Sequence, residues 1–352
     1  MMGSVKTDKI SFADNSFDLL RLFAALEIMW YHLCDFIPAN VDKLSFYSVF
    51  TRWAGFSVQG VVILFAISGF LIPASFERSR GAIDFIKKRL TRLYPALAVS
   101  FFVTFTIIMT VYRPELDLKK IAVWFTTQLT VMQSYTPGFL RDYGSGNPNG
   151  SLWTIFTEMQ MYVLVAIFYK WLKRLRLKGW IALIFCGALA NVVCWYVKDM
   201  VPHIVYRLIF VSFVPYLYIF LLGMFLYFNR DMVVRFLADH AGAVTAGYLA
   251  FSVIAYFAVP KIGFYNPLYM GLLLPFVIAA LAYGMGRHRL PFDLSYGIYL
   301  YHLIFVNLLI ELGVTSHVTA ICIVVPLTVA AAFLSHYLVE KPVQRLISGK
   351  KK

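Results

Sequence analysis

The chain has 352 residues, of which 60% are hydrophobic and 14% charged, and its mean hydropathy is +0.72. A soluble core of this size cannot bury so much apolar surface, so the composition excludes a soluble globular protein and predicts a polytopic membrane protein. The net charge is +14, but Lys and Arg lie between apolar runs, which is typical of membrane orientation and unlike a nucleic-acid-binding face. We therefore expect a lipid bilayer as a partner and no nucleic acid.

Ten apolar runs approach the length of about 20 residues that a helix needs to cross the hydrocarbon core. In chain order they are 17–37, 57–76, 93–112, 152–171, 180–197, 207–228, 242–259, 267–285, 295–312 and 318–338. The predicted fold class is all-α, a single helical membrane bundle over residues 1–352 with about ten transmembrane helices. No cleavage site follows the polar amino-terminal residues, which argues against a signal peptide.

An eleventh run, 121–135, is short and carries polar residues. The connections 77–92 and 170–178 are basic, and the positive-inside rule places both in the cytoplasm. The chain must then cross an even number of times between them, and the runs 93–112 and 152–171 already supply two crossings. Residues 121–135 are thus predicted to form a re-entrant or interfacial helix, with both termini in the cytoplasm.

The first run, FDLLRLFAALEIMWYHL, carries ionisable residues that cost about 2.5 to 3.5 kcal/mol each near the bilayer centre. Four polar residues project within an arc of about 100° on a helix: Asp18, Arg21, His32 and Asp35. Glu27 projects the opposite way, toward no identifiable partner. One face of this helix is therefore predicted to border a polar cavity. Alternatively, Arg21 is merely interfacial and His32 only joins two helices by a hydrogen bond.

The segment SLWTIFTEMQMY places Glu158 seven residues after Ser151, which puts its carboxylate about 10 Å below the outer surface. His32 lies about 9 Å below the same surface by the same count. A carboxylate beside an imidazole fixes its tautomer and raises its basicity, which suits a general base acting on a hydroxyl. We therefore expect Glu158 to lie beside His32. A structural contact between two helices is the alternative.

The stretch FIKKRLTRLYPAL carries Lys88, Arg89 and Arg92 just before the third run. Arg89 and Arg92 are three residues apart, so they lie on neighbouring faces of a helix and can hold phosphates from one side. The alternative is that these charges only orient the chain and contact anionic lipid.

The outer loop 137–153 is rich in Gly, Pro and Asn and leads into the run that carries Glu158. It can admit a bulky acceptor or simply connect two helices. Its aromatic residues Tyr143 and Trp153 are candidates for stacking on a sugar. The four cysteines of the chain show no CxxC spacing, so we expect no metal site.

Six segments, in the same order along the chain, resemble the acyltransferase-3 family of integral-membrane O-acyltransferases. They are FDLLRLFAALEIMWYHL, GVVILFAISGFLI, FIKKRLTRLYPAL, SLWTIFTEMQMY, LSYGIYLYHLIF and YLVEKPVQRL. The resemblance implies transfer of an acyl group, commonly acetyl, from cytoplasmic acyl-CoA to a hydroxyl of an extracytoplasmic glycan or glycolipid. It also implies a location in a bacterial inner membrane and acetyl-CoA or another acyl-CoA as co-substrate.

The resemblance also implies roles for individual residues: Arg21 and His32 as the essential pair, Arg89 and Arg92 as the R-x-x-R element, and Glu158 as the acidic residue of the SLW motif. His302 and Glu340 match recurrent family positions, and we expect them, like Asp35, to bind the acceptor or to be structural. Glu27 departs from the family pattern, in which an apolar residue is expected.

We hypothesise that Lys88, Arg89 and Arg92 hold the CoA phosphates at the inner mouth of a passage. Arg21 then binds the donor further in, and His32 takes a proton from the acceptor hydroxyl. A transporter or exporter that uses these polar residues as a substrate or proton path is the main alternative, although no paired inverted repeat is evident. A scaffold or sensor that binds lipid or glycan without chemistry is a third possibility.

Overall fold

The computed structural model describes residues 12, 14–115, 117–130, 132–288 and 290–348. Helix accounts for 77% of the chain, and the described residues contain no strand, which confirms the predicted all-α class. Their α-helices are α1 (Phe17–Phe36), α2 (Phe46–Ser57), α3 (Gly60–Glu77), α4 (Ala82–Ile107), α5 (Leu118–Leu129), α6 (Trp153–Leu172), α7 (Leu177–Val197), α8 (His203–Val211), α9 (Leu217–Phe228), α10 (Arg235–Asp239), α11 (Ala241–Ala258), α12 (Leu268–Gly284), α13 (Ser295–Glu311), α14 (His317–Ser335) and α15 (Lys341–Ser348).

Within the described ranges, six helical segments are long and apolar enough to cross a membrane, or seven if the pair α8 and α9, bent by 47°, forms one span. Helices α12 and α13 are apolar but have only 17 residues each. Helix α1 carries four charged residues over its 20 positions. The chain is thus a multi-pass helical protein, and about ten spans, with α5 re-entrant or interfacial, stay a prediction.

Helix α3 lies at the centre of the bundle and is buried around nearly its whole circumference. It packs most closely against α9. A Cβ atom at Gly69 would stand 2.2 Å from the Phe220 carbonyl oxygen, and one at Gly223 would stand 2.3 Å from that of Ala66. Glycine at both positions therefore lets the two backbones approach closely, as is common between membrane helices.

Helix α1 packs against α3 through a polar contact. The Glu27 carboxylate accepts a hydrogen bond of 2.7 Å from the N–H of Gly60, the first residue of α3. A helix N-terminus has N–H groups without intrahelical partners and carries a partial positive charge, so it favours an anion. This contact identifies the partner of Glu27 and gives its carboxylate a structural role.

The segment that precedes α6 enters the bundle instead of lying over it. The buried side-chain amide of Asn149 donates to the Leu300 carbonyl oxygen of α13 at 2.9 Å. The Asn307 amide of α13 donates in turn to the Asn147 carbonyl oxygen, also at 2.9 Å. As a result Ser151 is 2% exposed and lies within the bundle, not at its outer surface.

Candidate active site

A cavity of about 700 Å³ lies between α1, α3, α4, α6, α13 and the π-helical turn that follows α14. We call it the charged cavity because five of its lining side chains are Lys or Arg and three are Asp or Glu, a net charge of +2. These eight are Arg21, Arg78, Lys88, Arg89, Arg92, Glu158, Asp293 and Glu340. A concave site of this size with an excess of positive charge suits an anionic ligand. Six of the residues singled out from the sequence meet here.

The three residues predicted to bind acyl-CoA differ in how far they are already engaged. The Lys88 ammonium pairs with Asp84 on the same helix at 2.7 Å. The Arg89 guanidinium donates to the Ser75 hydroxyl at 2.7 Å, and its Nε has no hydrogen-bond partner among the residues that the structure describes. The Arg92 side chain makes no hydrogen bond or ion pair within the described part of the chain. Arg89 and Arg92 therefore have donors to offer a ligand.

Arg21 is held between two carboxylates. Its Nη2 contacts Asp18 on the same helix and lies 3.1 Å from Asp293, just before α13. Burial raises the pKa of Asp293, but Arg21, hydrogen bonds from Ser295 and the charge of Arg92 outweigh it and hold the pKa below its ordinary value. Sequence reasoning missed Asp293, since a lone Asp just before a helix is typical of a cap.

Glu158 projects from α6 into the charged cavity and accepts a hydrogen bond from the Ser68 hydroxyl of α3. Among the described residues it shares no hydrogen bond with His32, which corrects the predicted contact between them. The prediction measured depth from Ser151 as though it lay at the surface. Ser151 instead lies beside His302, 3.4 Å from its Nε2. Glu158, seven residues later, is therefore displaced by about 10 Å along the helix.

His32 pairs with His302. Nδ1 of His32 lies 2.8 Å from Nε2 of His302, and the two ring planes differ by 9°. His302 is 0% exposed on α13, and its Nδ1 lies 3.0 Å from the Ile298 carbonyl oxygen. We call His32 and His302 the histidine pair. The helical projection placed Arg21 and His32 on one face of α1, and both contact α13 or the residues just before it.

A pair of hydroxyl groups separates the charged cavity from the histidine pair. Tyr299 and Thr154 both line the cavity and are hydrogen-bonded to each other. The Tyr299 hydroxyl also lies 2.5 Å from the Ser151 carbonyl oxygen, and its ring centroid lies 6.0 Å from that of His302. The cavity thus ends at side chains that adjoin the histidine pair. Neither hydroxyl residue carried a signal in the sequence, since Tyr and Thr are common in membrane helices.

The remaining predicted residues lie in different places. Glu340 lines the charged cavity and is nearly buried. Trp153 is half-buried in an aromatic cluster, 4.6 Å from the Phe210 ring by centroid distance. Tyr143 is 1% exposed, so its ring is not open to a sugar, and Asp35 is exposed at the end of α1. None of the last three lines the cavity.

The acyltransferase domain model of the acyltransferase-3 family matches residues 14–337. The chain is 31% identical to nodulation protein 10 of Rhizobium leguminosarum bv. viciae over 94% of each chain. It is 28% identical to an O-acetyl transferase of Shigella phage Sf6, over 45% of this chain and 47% of the relative. It is also 24% identical to acyltransferase MdmB of Streptomyces mycarofaciens, over 50% and 44% respectively. No solved structure matches the chain significantly. The family match spans nearly the whole sequence, so the chain belongs to the acyltransferase-3 family.

Proposed function

We propose that the protein is an acyl-CoA-dependent O-acyltransferase that moves an acyl group, most simply acetyl, to a hydroxyl of a glycan or glycolipid across the membrane, with His32 as general base. The observation that carries the proposal is the charged cavity, whose lining includes both Arg92 and Tyr299, the latter beside the histidine pair. Family membership supports acyl transfer in general. The name of the phage relative, an O-acetyl transferase, favours acetyl and an oxygen acceptor.

The lining of the charged cavity suits acyl-CoA, which has a phosphate-rich head and a long uncharged arm ending in the thioester. Along α3 the lining runs from Val61 to Ile72 and is apolar except for Ser68, over about 16 Å at 1.5 Å per residue. Beyond this stretch lies Arg78, whose carbonyl oxygen contacts the Lys88 ammonium at 3.4 Å. The phosphates therefore fit the basic end, and the arm fits the apolar walls.

The basic end of the cavity belongs to the connection 77–92, which we assign to the cytoplasm by its charge. This orientation gives cytoplasmic acyl-CoA direct access to Arg89 and Arg92. The histidine pair then lies toward the opposite side of a bacterial inner membrane, where the acceptor approaches. Both termini are cytoplasmic in this arrangement. The thioester must pass the hydroxyl pair of Tyr299 and Thr154 to reach His32.

The transfer needs a base for the acceptor hydroxyl. Neutral His32 takes the hydroxyl proton while the acceptor oxygen attacks the thioester carbonyl carbon. The carbon–sulfur bond breaks, and the imidazolium returns the proton to the leaving thiolate, so the acyl group has moved from sulfur to oxygen. Such a base contributes about 10²- to 10⁴-fold to the rate, and holding both substrates in place supplies much of the rest.

Glu158 takes a different role in this scheme from the one that its motif suggested. Because it faces the cavity and contacts Ser68, we assign its carboxylate to accept hydrogen bonds from the amide groups of the CoA arm. Arg21 supports the same wall by holding Asp293, and its Nε has no hydrogen-bond partner in the described part of the chain.

Purified protein in liposomes with radiolabelled acetyl-CoA tests the proposal. We expect wild type to transfer label to a panel of short oligosaccharides or, slowly, to water, and we expect His32→Ala to lose this transfer while it still folds. Undiminished transfer by His32→Ala would overturn the base assignment. Movement of the intact donor or acceptor across the bilayer without acyl transfer would instead support the transporter alternative.

A further inference from the structure

The contacts of His302 determine which of its ring nitrogens carries a proton. A carbonyl oxygen only accepts hydrogen bonds, so the 3.0 Å contact between Nδ1 and the Ile298 carbonyl requires the proton to lie on Nδ1. The ring is fully buried, and its contacts among the described residues include no carboxylate, which favours the neutral form. In a neutral imidazole the other nitrogen, Nε2, is then the acceptor.

The tautomer of His302 in turn sets that of His32. The ring centroids are 5.1 Å apart, and the two nitrogens are 2.8 Å apart. The difference is about the sum of the two distances from a ring centroid to its nitrogen. Both nitrogens therefore lie nearly on the line that joins the centroids. With the planes only 9° apart, this is an in-plane hydrogen bond. Since Nε2 of His302 accepts, Nδ1 of His32 donates. The opposite tautomer of His32 would face two lone pairs across 2.8 Å.

We propose that His302 is a positioning residue that holds His32 in its Nδ1–H tautomer, so that Nε2 of His32 presents a free lone pair to the acceptor hydroxyl. This inference rests on the proposed function, in which His32 is the base. In many enzymes a carboxylate orients the histidine. A neutral imidazole fixed by the Ile298 carbonyl does the same without placing a negative charge in the bilayer. The Ser151 hydroxyl, 3.4 Å from the same Nε2, makes the longer contact.

Two substitutions at one position separate this role from simple packing. His302→Gln places an acceptor oxygen near the position of Nε2, whereas His302→Leu fills similar space without an acceptor. We expect His302→Leu to lower kcat about 10²-fold, and His302→Gln to stay within about 10-fold of wild type, both without a change in the KM for acetyl-CoA. The rate is measured as thiol release from acetyl-CoA with the best oligosaccharide acceptor, or with water.

His317 offers a matched control. It is also buried, with Nδ1 2.6 Å from the Ile37 carbonyl oxygen and Nε2 2.8 Å from the Tyr47 hydroxyl. His317→Leu removes the same kinds of contact but leaves the histidine pair intact. We expect it to lower thermal stability without the selective fall in kcat.

Nitrogen-15 spectra of histidine-labelled protein report the tautomers without any substrate. We expect the Nδ1–H form of His32 in wild type and in His302→Gln, and a mixture of tautomers in His302→Leu. The Nε2–H form of His32 in wild type, or equal kcat losses in both variants with its tautomer unchanged, would overturn the inference. If wild type shows the Nδ1–H form but transfers no acyl group, the proposed function fails while the tautomer assignment stands.

Discussion

The charged cavity and the histidine pair are polar regions of the same bundle, but the polar groups of the two regions have different kinds of partner. In the cavity, formal charges face each other, as between Arg21 and Asp293, and Arg92 makes no hydrogen bond or ion pair with the described residues. In the histidine pair, the two imidazole rings are linked in series to the Ile298 carbonyl, an arrangement that neutral rings can satisfy. A buried charge costs far more than a buried neutral group with a hydrogen bond. Charge is therefore concentrated where an anionic ligand can offset it, and His32, the proposed base, lies where no formal charge is needed.

The largest expected effect is that of His32→Ala on turnover. We expect kcat to fall by about 10²- to 10⁴-fold, because the proposed general base is lost. His32 does not line the charged cavity, so the KM for acetyl-CoA should not change. Initial rates at several acetyl-CoA concentrations measure both constants. A higher KM with an intact kcat would show that His32 contributes to donor binding, and would contradict a division in which the cavity binds the donor and the histidine pair serves catalysis.

The double substitution Arg89→Ala with Arg92→Ala should have the opposite pattern. A hydrogen bond to a charged group contributes at least about 1.5 kcal/mol, so the loss of one such bond from each arginine should weaken CoA binding by about 100-fold or more. Titration calorimetry of the protein in nanodiscs measures this affinity. Arg176→Ala is the matched control, because Arg176 is exposed in the connection from α6 to α7 and does not line the cavity. If the double variant and the control bind CoA equally well, Arg89 and Arg92 do not bind the donor and serve only to orient the chain in the membrane.

A smaller effect is expected for Asp293→Asn, which removes the ion pair with Arg21. The pair is partly exposed, so the free energy of unfolding should fall by about 1 kcal/mol. Because the pKa of Asp293 is lowered in the folded protein, this contribution is present at neutral pH and is lost as the pH falls through the lowered pKa. Melting curves of both proteins in detergent should therefore converge in acid. A difference in melting temperature that grows as the pH falls would contradict a stabilising ion pair between Asp293 and Arg21.

The apolar runs predicted where most helices lie but not where they begin or bend. Helix α4 begins at Ala82, well before residue 93, because the polar stretch FIKKRLTRL is helical without being apolar. The run 207–228 is bent between α8 and α9, next to Pro215, which cannot donate a backbone hydrogen bond. Hydropathy measures burial in lipid, and it does not report the direction of a helix.

The helical projection of α1 predicted a shared polar face, and the motifs identified most of the charged residues of the cavity. Neither the projection nor the motifs could identify His302 as the partner of His32. It depends on how far Ser151 enters the bundle, which is set by contacts such as that of Asn149 with Leu300, far apart in sequence. Such long-range contacts leave no trace in local periodicity.

A cryo-EM structure with CoA bound would show whether the charged cavity holds the donor. We expect phosphate density within hydrogen-bonding distance of Arg89 and Arg92, with the arm extended along α3 and its thiol end near Tyr299. Density for CoA outside the charged cavity, or with the phosphates at the Tyr299 end, would contradict this expectation.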